Sequence, residues 1–82
     1  MLEKIVIIDQ IEVLESNHIQ VRQATKIIED GKEIGKTYHR HVLSPGDSLE
    51  GQDEKVQRIA KAAWTPEVIE AYKVQVETQR LL

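Results

Sequence analysis

Cysteine and phenylalanine are both absent from this chain. Without thiols no disulfide can staple the fold, and no thiolate metal site can form. One Trp and two Tyr are the whole aromatic complement. No sign of charge dominates either. Residues 1–43 hold seven acidic and six basic side chains, the rest hold seven and five, and the net charge is −3. Neither half offers the basic face that nucleic acid needs, so no nucleic-acid partner is expected. Long apolar runs are missing too. The longest, Ile5-Val6-Ile7-Ile8, is far too short to span a bilayer, and the N-terminus has no basic leader followed by an apolar stretch. A soluble chain made in a cytoplasm, with no membrane partner, is the expectation. Its 82 residues predict a single domain with a modest core.

What is present is a clear change of pattern. Asp30-Gly31 lies between two alternating runs, and Asp-Gly between apolar runs signals a hairpin, because a type I′ turn needs positive φ at both central residues. Upstream, residues 3–15 read as a first strand. Ile5, Ile7, Ile11 and Val13 share one parity broken by Asp9, while Val6, Ile8 and Leu14 hold the other. The start of this strand is apolar on both faces. That pattern fits a central strand covered on both sides, or one that meets a partner chain. Residues 19–29 form the second strand and 32–43 the third. A two-residue turn at Asp30-Gly31 sets Ile27 against Ile34, Gln23 against Tyr38, Val21 against Arg40 and Ile19 against Val42. Between the first two strands, a three-residue loop at residues 16–18 ending in a left-handed residue keeps Ile11 and Val13 on the matching face.

Ser44-Pro45-Gly46-Asp47 ends the sheet, since Pro45 cannot donate to a ladder. Residues 44–51 connect to a helical pair over 52–80. Val56, Ile59, Ala60 and Ala63 follow the i, i+3, i+4, i+7 rule, and Trp64 is the expected anchor on the sheet. Thr65-Pro66-Glu67 starts a second helix by capping, by a fixed φ at the first position and by charge. Its stripe is Val68, Ile69, Tyr72 and Val76, with Glu70–Lys73 and Glu77–Arg80 as outer ion pairs. The apolar tail Leu81-Leu82 is free to fray or to dock on a partner. The predicted fold is α+β: a three-stranded antiparallel β-meander followed by two α-helices packed on one face. Ile7, Ile11, Val13, Val21, Ile27, Ile34 and Val42 are expected under the helices. Val6, Ile8, Arg22, His39 and His41 are expected on the opposite face, as the partner surface.

His39-Arg40-His41 places two imidazoles on one strand face about 7 Å apart. A metal needs three or more ligands, and the remaining histidine, His18, lies in a turn. One chain does not complete a site, and neither metal nor cofactor is expected. A trimer would bring the pairs to an axis, an arrangement that resembles the His-x-His iron sites of trimeric phage tail needles and fibres. Arg22, Lys26, His39 and Arg40 could gather an anion, but parity splits Arg40 from the histidines. Arg40 is expected over Tyr38 or Trp64, or paired with Asp9. Catalysis finds no constellation: Ser44, Ser48 and Thr65 have turn or cap roles, and no nucleophile elbow, phosphate loop or dinucleotide fingerprint is present. The spacing of Asp47, Glu50, Asp53 and Glu54 is not a calcium loop, and acids ahead of a helix N-terminus explain them.

The stretches Ile27-Ile28-Glu29-Asp30-Gly31-Lys32-Glu33-Ile34, Tyr38-His39-Arg40-His41-Val42-Leu43-Ser44-Pro45-Gly46-Asp47 and Trp64-Thr65-Pro66-Glu67-Val68-Ile69 resemble a group of short phage proteins often encoded among structural and tail genes. The resemblance covers roughly residues 20–72 and transfers no functional residue. It implies a virion-associated or assembly role, not an enzyme, in the virion or in the host cytoplasm during assembly. The expected partners are copies of the chain, as a homo-oligomer, and a larger virion protein. The alternative is a phage-encoded regulator or inhibitor that binds a host protein.

Overall fold

Asp30 and Gly31 both take positive φ, 51° and 80°, as the hairpin turn requires. The computed structural model describes residues 1–81, so Leu82 of the predicted tail lies outside the described residues. Three strands, β1 (Leu2–Val13), β2 (Ile19–Glu29) and β3 (Lys32–Leu43), pair antiparallel in the order β1-β2-β3. Two helices follow, α1 (Glu54–Ala63) and α2 (Pro66–Leu81). The α+β meander is therefore as the sequence pattern indicates, with β2 in the centre and β1 at an edge rather than central.

Two irregularities reset the expected register. Glu29 faces Lys32 and Ile28 faces Glu33, but Ile34 is then skipped and Ile27 faces Gly35. Every later pair moves by one, so Val21 faces His41, Gln23 faces His39 and Ala24 faces Tyr38. The second shift skips Asp9 on β1: Ile8 faces Gln23 and Gln10 faces Arg22. A one-residue slip turns every following side chain to the other face. Glycine inside a strand weakens the ladder locally, and Gly35 follows the first bulge directly.

The consequences fall on the core. Ile19, Val21 and Leu43 lie buried on one face with Val56, Ala60 and Trp64 from the helical layer. Ile8, Ile11, Ile59, Ala63, Val68 and Ile69 pack around them. Ile11 and Val21 thus sit under the helices as expected. Ile7, which faces Ala24, and Val42, which faces Gln20, are on the other face. Val13 shares the helix side but stays exposed at its edge, and Ile27 and Ile34 lie beyond the helices' reach.

The connections hold this layer in place. Leu14 N–H donates to His18 O and Asn17 N–H to Leu14 O, closing a three-residue loop whose last residue, Asn17, has φ 69°. Trp64 Nε1–H donates to Asn17 O at 2.7 Å, tying the helix junction to that loop. Asp53 caps α1 by accepting from Lys55 N–H, and Thr65 Oγ1 accepts from Val68 N–H at the start of α2. Ser44 N–H donates to Asp47 Oδ2, and Gly46, at φ 90°, leaves room for Ile69 where a Cβ would come within 3.2 Å.

Both ends of the molecule extend past the core. The principal extents are 55 × 26 × 21 Å and the radius of gyration is 16.8 Å, against about 12 Å for a compact chain of this length. One end is the hairpin tip with the start of β1, a three-stranded arm with no helical layer. The other is α2, which contains no buried residue. Val68, Ile69 and Tyr72 are half-buried, but Val74, Val76 and Leu81 are exposed. The expected Glu70–Lys73 and Glu77–Arg80 pairs are not formed, and among the described residues Glu54–Arg58 is the helical ion pair present.

Candidate interaction surface

The arm is built from strands that alternate around exposed aliphatic side chains. Lys4, Val6 and Ile8 face Ile27, Thr25 and Gln23 on the helix side, and Ile5 and Ile7 face Lys26 and Ala24 on the bare side. Ile5 is 41% exposed and Val6 51%. Leu2, Ile7 and Ile34 are exposed as well. Exposed aliphatic residues thus occupy both faces of one element, where a monomeric protein rarely leaves a continuous apolar patch.

Four of the five residues expected at the partner surface do come together, on the helix side of the sheet. Val6, Ile8, His39 and His41 line an open groove of about 600 Å³ with Gln23, closed by Gly51, Gln52, Asp53 and Lys55. His41 Nε2 lies within hydrogen-bond distance of Gln52 Oε1, at 3.0 Å. The His39 and His41 rings lie 6.3 Å apart. Among the described residues, no group of three or more His, Cys, Asp and Glu is placed to hold a metal. His18 sits apart, accepting or donating to Ser16 Oγ and edge-on to Tyr72.

Arg22, the fifth residue, lies on the bare face away from the helices, where it is expected; the bulges in β1 and β3 carry the other four to the helix side. There it faces Arg40 directly, while Lys26 faces Lys36 directly. Four of the six bases of the first 43 residues therefore share one face. Like charges set directly across a strand pair are unfavourable, so the arrangement calls for compensation. Asp9 supplies part of it. Its bulge turns the carboxylate onto this face, where Arg22 Nε and Nη2 donate to it at 2.9 and 2.8 Å. Hydrogen bonding from Arg22 holds the Asp9 carboxyl below its ordinary range. Tyr38 supplies the rest. Arg22, Lys36 and Arg40 lie 4.5, 5.3 and 5.9 Å from its ring centroid. Arg40 reaches Tyr38, one of the expected placements, but Asp9 belongs to Arg22.

This cationic centre was not legible from strand parity, which put Arg40 on the other side. The signals were Gly35, an isolated glycine inside a strand, and Asp9, the polar break in an apolar run. Among the described residues no helix is long and apolar enough to cross a membrane. No family model matches the chain, and comparison with curated proteins and with solved structures returns no significant match.

Proposed function

We propose that this chain is a small structural protein of a phage particle, acting by association with copies of itself and with a larger particle protein. The observation that carries the reading is the arm. Its exposed aliphatic side chains lie on both faces, and its start at Ile5-Val6-Ile7-Ile8 is an edge strand. An unprotected edge with apolar faces is costly in a chain that stays alone, and association removes the cost. The particle setting draws its support from the resemblance of Ile27–Ile34, Tyr38–Asp47 and Trp64–Ile69 to short phage proteins. Quantitative mass spectrometry of purified particles of the encoding phage is the test. The chain is expected there in multiple copies per particle. Recovery only outside the particles, bound to a host protein, contradicts the reading and favours a regulator.

A further inference from the structure

Two surfaces of this molecule lack a partner, and their chemistries are opposite. The first is the bare face of the sheet, where Arg22, Lys26, Lys36 and Arg40 surround Tyr38. Among the described residues, Lys26, Lys36 and Arg40 have no carboxylate within ion-pair distance. The cationic centre is bounded by Glu12 at one end and by Glu3 and Glu33 towards the arm tip. The second is the outer side of α2. Glu67, Glu70, Val74, Glu77 and Leu81 recur at i, i+3, i+7, i+10 and i+14, which aligns them in one stripe. That stripe points away from Ile69 and Tyr72, the residues that hold α2 to its own core. All five of its residues are exposed, and none of its carboxylates has an ion-pair partner among the described residues.

We infer that the α2 stripe of a second copy covers the cationic sheet face. The spacings agree. The Arg22/Arg40 and Lys26/Lys36 rows are four strand residues apart, about 13 Å. On a helix, Glu70 and Glu77 are about 10.5 Å apart and Glu67 and Glu77 about 15 Å, so the acids bracket the row spacing. Val74 then falls over the centre of the face, where Ile7 and Tyr38 are exposed on either side of the buried Ala24. Packing two bare faces together would set four cations against four, and pairing two α2 stripes would set acids against acids. Neither surface suits its own copy, so each copy donates one helix and receives one.

This inference rests on the self-association proposed above, and a charge-swap experiment separates the two. Three variants are compared with the natural chain by light scattering: Lys36→Glu/Arg40→Glu, Glu70→Lys/Glu77→Lys, and all four changes together. Circular dichroism checks that each is folded. Either one-sided reversal is expected to weaken association by roughly tenfold or more, because like charges then meet across the contact. The fourfold variant is expected to regain the oligomer, and a mixture of the two one-sided variants to form a mixed pair. Raised salt is expected to weaken the natural assembly. An oligomer indifferent to both reversals overturns this contact while leaving self-association intact. Loss on reversal without rescue by the swap overturns α2 as the occupant and assigns the cationic face to another acidic surface. A natural chain that is monomeric at every concentration overturns both.

Discussion

Trp64→Ala is expected to remove a large part of the protein's folding stability. Truncating a buried Trp costs about 3–5 kcal/mol, and a small domain holds only about 5–15 kcal/mol in total. Trp64 has more than its share of the work. It is buried in a core cluster with five other buried side chains. Its indole N–H also closes the Asn17 carbonyl across 47 residues, joining the β1–β2 loop to the helix junction. Urea unfolding followed by circular dichroism measures the loss. Trp64→Phe separates the two contributions. It keeps most of the volume but leaves the Asn17 carbonyl without its donor, at about 1 kcal/mol. Equal stabilities of Trp64→Ala and the natural chain would mean that the helical layer is not anchored here.

The second large effect is expected on assembly rather than on folding. Ile5→Asp/Val6→Asp puts a charge on each face of the arm at adjacent positions. Both side chains are already about half exposed in the single chain, 41% and 51%, so the monomer should remain folded. In an assembly that covers the arm, each loses the burial of its remaining exposed half, worth about 1 kcal/mol. That is roughly fivefold per site and about 30-fold together. Sedimentation velocity across a dilution series reads the change. A double variant that associates like the natural chain would show that the arm stays in solvent.

The turns and caps were readable because each depends on a few neighbouring residues. Asp30-Gly31 and Thr65-Pro66 act where their chemistry placed them, while the three-residue loop expected at 16–18 forms one residue earlier, with Asn17 as its left-handed residue. The stripe of Val56, Ile59, Ala60 and Ala63 also met the sheet as its spacing required. Register was harder, because strand periodicity carries no count of skipped residues. The bulge at Ile34 turned His39 and His41 towards the helices and Tyr38, Arg40 and Val42 away from them. The bulge at Asp9 did the same for β1, and it separated Ile7 from Ile11. The partner surface was consequently legible as a set of four residues but not by its face. The cationic centre emerged only once Arg22, Lys26, Lys36 and Arg40 were on one side. Helix α2 posed a different problem: its apolar residues suggested a buried stripe, but Val68, Ile69 and Tyr72 are only half-buried, and Val74, Val76 and Leu81 are exposed.

Absolute mass by light scattering, over a hundredfold range of protein concentration, tests the central claim most directly. A chain whose bare sheet face, two-sided arm and acidic helix are covered by other copies is expected as a defined oligomer. Its mass should be a whole multiple of 9.4 kDa, held across the upper part of the range and falling on dilution or with the Ile5→Asp/Val6→Asp changes. A constant 9.4 kDa at every concentration would contradict the account and leave the arm to a foreign partner.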